Sequence, residues 1–237
     1  MKKLLLVLIL FTAGCEHTAV ESYTNVLNVF SVLKQGKSIQ SVMVNRTYKL
    51  DEQSQKCIEN AIVILSGKNF IDTLSLSDSL YISTDSIVLN PMDTINICVK
   101  ADGFDSVCGT TVIPDSIIIL HPTNNDTVNQ LDSLVVKNTP NTYSHFTVYR
   151  EDRDSIITER GSTESDSLLI GPFYWFDLKE GLYKVEVKLY DKNYTQYEGN
   201  RMGMMGSSGN TKRVGLNSGF GVFGSVVTKE IYLYFKE

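Results

Sequence analysis

The chain has 237 residues, 42% of them hydrophobic and 10% aromatic, with 21% charged and a net charge of −5. This is enough apolar material for one or two packed domains and too little charge for a disordered chain. The acidic balance and the lack of any basic run speak against nucleic acid as a partner, and equally against an electrostatic grip on anionic lipid.

The first element is a targeting segment. Lys2 and Lys3 precede Leu4 to Phe11, an apolar run too short to span a bilayer. The following Thr12-Ala13-Gly14-Cys15 resembles a bacterial lipobox. The resemblance implies that residues 1–14 are removed as a lipoprotein signal peptide, that Cys15 carries the acyl chains, and that 15–23 form a tether. Acyl chains contribute about 0.8 kcal/mol per buried methylene, so two or three hold a soluble domain on a membrane nearly irreversibly. Loss of Lys2 and Lys3 would move the net charge from −5 to −7. Glu16, rather than Asp, follows the Cys; the resemblance to lipoprotein sorting signals implies the outer membrane over inner-membrane retention, with the periplasmic or surface face left open.

From residue 24 onward the expected elements are strands. Asn25–Leu33 and Ile39–Tyr48 alternate loosely, and Ala61–Leu65 is a short apolar run. Ser86–Leu89, Thr94–Val99 and Ser106–Ile113 follow, separated by polar turns at 66–69 and 90–93. Asp102-Gly103 sits between two of these runs. A three-residue loop centred on Gly103 would place Cys98 opposite Cys108, where an oxidising compartment allows a cross-strand disulfide. Two buried thiols, or exchange with Cys57, are the alternatives. Pro114 closes this first module, 24–114.

A second module, 115–237, opens on Ile117–Leu120 and a polar loop, His121 to Asn129. Strands are expected at Leu134–Lys137, Phe146–Arg150, Ile156–Arg160, Leu168–Ile170, Leu182–Tyr190 and Thr228–Lys236. In Lys179–Asp191, Tyr183, Val185, Val187 and Leu189 alternate with polar residues, the pattern of a half-buried antiparallel strand. The Gly-rich stretch 199–224 reads as a mobile loop whose Met202, Met204 and Met205 cover the sandwich edge, with contact to a partner as the alternative.

One triplet punctuates both modules. Asp, then Ser or Thr, then an aliphatic residue occurs ten times and uses ten of the 15 Asp; random order would give roughly one. Asp and Ser/Thr favour turns and the aliphatic residue opens a strand, so the triplet reads as a turn giving way to a strand.

"INICVKADGFDSVCGTTVIP" resembles the end of a carboxypeptidase-regulatory-like or transthyretin-like sandwich, and "LKEGLYKVEVKLYD" resembles the Gly-x-Tyr-x-Val-x-Val strand of fibronectin type III modules. In the second, Tyr183 matches the corner tyrosine. The order of lipobox, first sandwich, second sandwich and Gly-rich tail is similar to a family of outer-membrane lipoproteins known as domains of unknown function. Those occur near TonB-dependent receptors. The resemblance implies an all-β fold of two tandem antiparallel Ig-like sandwiches, a membrane attachment through Cys15, and a protein partner in the outer membrane. The Asp-Ser/Thr-aliphatic triplet also resembles the acceptor sequon of an envelope O-glycosylation system. That makes Thr73, Ser79, Ser86, Thr94, Ser106, Ser116, Thr127, Ser133, Ser155 and Ser167 candidate acceptors.

No catalytic motif is present. His17, His121 and His145 form no metal-binding pair, the Cys residues lack CxxC spacing, and GxSxG and P-loop signatures are missing, so neither a catalytic residue nor a metal or cofactor is assigned. Asn124, Asn125 and Asp126, and Glu151, Asp152 and Asp154, offer oxygen ligands without EF-hand spacing and read as ordinary turns. "GPFYWFDL" holds four consecutive aromatics, of which Tyr174 and Trp175 are binding candidates. The expectation is a lipid-anchored, non-catalytic envelope binding or accessory protein, with a structural or adhesive cell-surface role as the alternative.

Overall fold

A computed structural model describes residues 24–48, 57–137, 143–150, 153–162, 167–171, 173, 178–201 and 213–236. Among the described residues the chain is all-β apart from one helix. The first module contains β1 (Leu27–Lys34), β2 (Ser41–Arg46), β3 (Ile62–Gly67), β4 (Phe70–Ser77), β5 (Leu80–Ile82), β6 (Thr94–Lys100) and β7 (Val107–Val112). The second contains β8 (Ile119–His121), β9 (Thr127–Val128), β10 (Leu134–Lys137), β11 (Tyr143–Arg150), β12 (Arg153–Ser162), β13 (Ser167–Ile170), β14 (Gly181–Tyr190), helix α1 (Lys192–Arg201), β15 (Arg213–Val214) and β16 (Phe220–Phe235).

Period-two burial builds both cores. Leu27, Val29 and Leu33 of β1 point inward with Val42 and Val44, facing Val63, Leu65, Ile95, Ile97 and Val99. In the second module, β8, β10 and β13 form a three-stranded sheet in the order β13-β10-β8, and β12-β11-β14-β16 form the facing layer. This three-on-four order is that of an immunoglobulin or fibronectin type III sandwich. Its corner is closed by Tyr183, whose hydroxyl donates to the Lys179 carbonyl at 2.8 Å and accepts the Lys179 N–H at 3.0 Å.

Strand β16 belongs to both modules. From Phe220 to Val226 it pairs in parallel with β1; from Val226 to Phe235 it pairs antiparallel with β14. Val226 therefore faces Lys34 on one side and Tyr190 on the other. This departs from the purely antiparallel expectation. Parallel neighbours need a long connection, and here almost the whole described chain separates β1 from β16. The first half of β16, expected within the second sandwich, completes the first.

The second half of the Gly-rich stretch is structured, not a mobile loop. Residues 215–217 line the free edge of β7: Thr110 N–H donates to the Gly215 carbonyl at 3.0 Å, and Asn217 N–H to the Cys108 carbonyl at 2.8 Å. A Cβ on Gly109 would collide with that Gly215 carbonyl, and one on Gly221, at φ +108°, with the Val29 carbonyl. The glycines let backbones approach closely. Residues 202–212, with the three Met, lie outside the described residues.

Three further departures are local. Ser86–Leu89 is not a ladder strand; it buries Ile87 and Leu89 and is tied by the Ile87 N–H to the Ser38 carbonyl at 2.8 Å. Strands β4 and β5 were not anticipated because polar residues interrupt their alternation. Helix α1 has little apolar periodicity and depends on its cap. The Asp191 carboxylate accepts the Tyr194 N–H at 2.9 Å and its carbonyl the Thr195 N–H at 3.0 Å.

Asp191 does more than cap. Its carboxylate, almost fully buried, also accepts the Thr111 hydroxyl of β7 at 2.6 Å and the Ser225 N–H of β16 at 3.1 Å. One side chain thus joins helix, shared strand and first module. Burial pushes its pKa above the ordinary carboxylate range, against the opposing pull of Thr111 and the Tyr194, Ser225 and Asn193 amides.

Candidate functional site

The triplet first shows an architectural role. Its hydroxyl is exposed at Thr73, Ser79, Ser86, Thr94, Ser106, Ser116, Thr127 and Ser167, and half-buried at Ser133; the side chain of Ser155 lies outside the described residues. The next residue is buried at Leu74, Ile87, Ile95, Val107, Ile117, Val128 and Leu134. At Leu74, Ile95, Val107, Val128 and Leu134, which lie in strands, hydroxyl out and aliphatic in is the pleat itself; Ile87 and Ile117 are buried from segments outside the ladders. A single turn recurs before β6, β9 and β10. The Asp carboxylates of residues 93, 126 and 132 accept the N–H of the residue three positions back, Asn90, Thr123 and Asn129, at 3.0, 2.7 and 2.7 Å. The same three Asp N–H groups return a bond to those residues' carbonyls at 3.2 Å. At Asp78 the pattern differs. Asp78 and Ser79 have φ of 46° and 71° and form the two-residue tip joining β4 to β5, which leaves Leu80 outside the core.

Asn124 and Asp126 are engaged as turn formers. The Asn124 side-chain oxygen accepts the Tyr232 N–H at 2.8 Å, and Asp126 holds Thr123. Glu151 and Asp152 lie outside the described residues, as do Cys15, Tyr174 and Trp175. Among the described residues no three His, Cys, Asp or Glu side chains gather as a metal site requires. Cys98 and Cys108 are direct cross-strand partners and are joined by a disulfide, while Cys57 is a free thiol. Burial and neighbouring Glu59 push the Cys57 thiol pKa up.

A groove that sequence reasoning missed lies where the modules meet. It occupies about 560 Å³ on the outer face of the continuous β1-β16-β14 sheet. Its floor is Val226, Thr228 and Glu230 of β16. One bank is Phe30, Val32 and Lys34 of β1 with the tip Gln35–Lys37; the other is Glu186, Lys188 and Tyr190 of β14 with Tyr194 of α1. Tyr190 and Tyr194 stack with centroids 4.5 Å apart, Tyr197 lies 6.1 Å from Tyr194, and Phe30 meets Tyr197 edge-on at 6.0 Å. The Asp191 cap delivers Tyr194 and Tyr197 to this position.

The tip carrying Lys34 and Lys37 is braced from below. The side-chain oxygen of buried Gln40 accepts the Lys34 N–H at 2.9 Å, and its amide donates to the Lys34 and Lys37 carbonyls at 3.1 and 2.6 Å. Its own N–H donates to Ser83 Oγ at 2.9 Å, and the Gln35 N–H reaches the Val226 carbonyl at 3.0 Å. The tip is thus fixed against Ser83, just after β5, and against β16.

The groove's carboxylates are paired. Glu186 takes Lys188 at 2.5 Å and the Tyr149 hydroxyl at 3.1 Å; Glu230 takes Lys184 at 3.2 Å. Burial raises the Glu186 pKa, but Lys188, the Tyr149 hydroxyl and Lys184 together outweigh it and hold the group below the ordinary carboxylate range. Glu230 in turn raises the Lys184 pKa. Residues as far apart as 30 and 197 meet only through β16, so no local motif could have revealed the site.

The sequence matches no protein-family model. No curated protein is significantly similar to it. Among solved structures, a biofilm-associated protein BSP domain aligns over 89% of this chain and 30% of its own, at 14% identity and a TM-score of 0.26. A cytokine receptor complex aligns over 70% of this chain and 86% of its own, at 12% identity and 0.26. The FN1–FN3 domains of chicken CNTN1 align over 88% and 63%, at 7% identity and 0.23. The chain spans less than a third of the biofilm-associated chain it matches. At such TM-scores the Ig-like assignment rests on the strand order and register above.

Proposed function

We propose that this is a lipid-anchored, non-catalytic binding protein of the cell envelope, tethered by acyl chains on Cys15 and working beside an outer-membrane transporter of the TonB-dependent kind. The observation that supports a binding role is the groove at the module junction. It has aromatic rings on both banks and a floor held rigid by a sheet that runs unbroken from one module into the other. A non-catalytic role fits the state of its carboxylates, which are committed to lysine partners instead of being poised to exchange protons. The eight exposed hydroxyls of the Asp-Ser/Thr-aliphatic triplets are available to an O-glycosylation system on the same envelope face.

The test is affinity purification of the full lipoprotein from detergent-solubilised envelopes. A membrane protein recovered in stoichiometric amount supports the accessory role. Recovery of copies of the bait alone favours a structural or adhesive protein.

A further inference from the structure

We infer that the groove takes an acidic saccharide, whose ring lies against the Tyr190–Tyr194 stack and whose carboxylate meets Lys34 and Lys37. This inference rests on the reading of the protein as a binding module and names the ligand class of that site. Three observations carry it.

The first is charge. The groove is lined by three lysines and two glutamates, and its acids are neutralised within the sheet: Glu186 by Lys188, Glu230 by Lys184. Among the described residues no carboxylate lies within ion-pair distance of Lys34 or Lys37. A protein with net charge −5 therefore presents two uncommitted cations at one end of a trough. The Gln40 side chain fixes the backbone of both, so an arriving anion has only the two lysine side chains to order and not the loop that carries them.

The second is the aromatic bank. Tyr190 and Tyr194 are half-exposed and lie at 22° to one another, and Phe30 stands across the floor. The stack covers one face of each ring with the other, and the surface it leaves half-exposed is electron-rich, the kind on which the C–H-bearing face of a pyranose packs.

The third is the floor, which disfavours a peptide. It crosses three hydrogen-bonded strands. Val226 pairs with Lys34 and with Tyr190, so the backbone groups that would recruit an added strand are already used. An extended peptide gains no ladder there, and a floor of one valine, a threonine and a lysine-paired glutamate offers no apolar stripe to an amphipathic helix. Recognition is left to rings, ammonium groups and hydroxyls.

The test is calorimetry on the detergent-purified full-length protein with two acids, tetragalacturonate and 3′-sialyllactose, against their neutral counterparts, the galacturonate methyl ester and lactose. An acidic Glu/Tyr copolymer is the peptide control. At least one acid is expected to bind at least tenfold tighter than its neutral counterpart. Lys34→Gln with Lys37→Gln should remove that tenfold while leaving the neutral sugar within about twofold. Tyr194→Leu should weaken both sugars by tenfold or more; because Tyr194 also supports α1, the doubly substituted lysine variant is the deciding one. Equal binding of acid and neutral sugar, full acid binding by the lysine variant, no binding of either acid, or tighter capture of the copolymer each overturns the inference. Any of these would leave partner recovery from envelopes intact, whereas loss of that partner with acid binding preserved would count against the accessory role alone.

Discussion

Asp191→Ala removes the side chain that joins α1, β7 and β16. Fully buried Ser225 loses its N–H acceptor, at about 1–3 kcal/mol, and the half-buried first turn of α1 loses its cap at Tyr194 and the carboxylate beside the Asn193 amide, at about 1–2 kcal/mol. The Thr111 hydroxyl is not stranded, since Ser225 Oγ lies 3.2 Å away. Removing a desolvated carboxylate offsets part of the loss, so a net cost of about 3 kcal/mol is expected. Asp191→Asn keeps one oxygen for both amides and turns an amide toward Thr111, whose oxygen can accept it; about 1 kcal/mol is expected. The pH dependence separates this from simple packing. A carboxyl whose pKa is raised by folding binds its proton more tightly in the native state. Its contribution is full below the unfolded pKa, about 3.9, and is lost as pH rises through the raised value. The asparagine variant lacks that slope, so it should gain on the wild type as pH goes from 4 toward 7. Urea unfolding followed by circular dichroism at stepped pH measures the difference. A wild type that instead gains on the asparagine variant over that range would refute the assignment of Asp191 as a carboxyl held under desolvation.

Other outcomes follow from single contacts. Tyr183→Phe should cost about 1–2 kcal/mol in urea unfolding, from loss of the two hydroxyl bonds to Lys179. Gly221→Ala should cost about 3 kcal/mol or more, because its Cβ would run into the Val29 carbonyl at a left-handed φ. Gly36→Ala, also left-handed but with open space around it, should cost only about 1 kcal/mol. The native intact mass should exceed polypeptide plus lipid by whole sugar units. A mass equal to polypeptide plus lipid dismisses glycosylation at Thr73, Ser79 and the other exposed triplets.

What was legible in the sequence was the part coded by neighbours along the chain. Leu134–Lys137 and the alternation of Gly181–Tyr190 declare themselves because an inward–outward period of two is a local property. Tyr183 was readable for the same reason: its hydroxyl bonds a residue four positions away. The Asp triplets were read as turn endings, which holds before β6, β9 and β10, but not at Asp72. That carboxylate is buried in mid-strand and takes the Thr84 hydroxyl at 2.6 Å. The Gly-rich stretch misled because glycine signals both looseness and close approach, and only the partner backbone tells which. Helix α1 escaped because its stability comes from Asp191 and from packing on β16, not from an apolar stripe. The groove escaped wholly, since Phe30, Lys34, Tyr190 and Tyr194 become neighbours only when β16 zips β1 to β14.

The membrane anchor is the claim on which the proposed function most depends, and labelled palmitate tests it most directly. Cells expressing the wild type and Cys15→Ser would be fed radiolabelled palmitate and fractionated. Label on the wild type alone, with the variant leaving the membrane fraction, is the expected result. An unlabelled wild type, together with a variant that still sediments with the outer membrane, would contradict it.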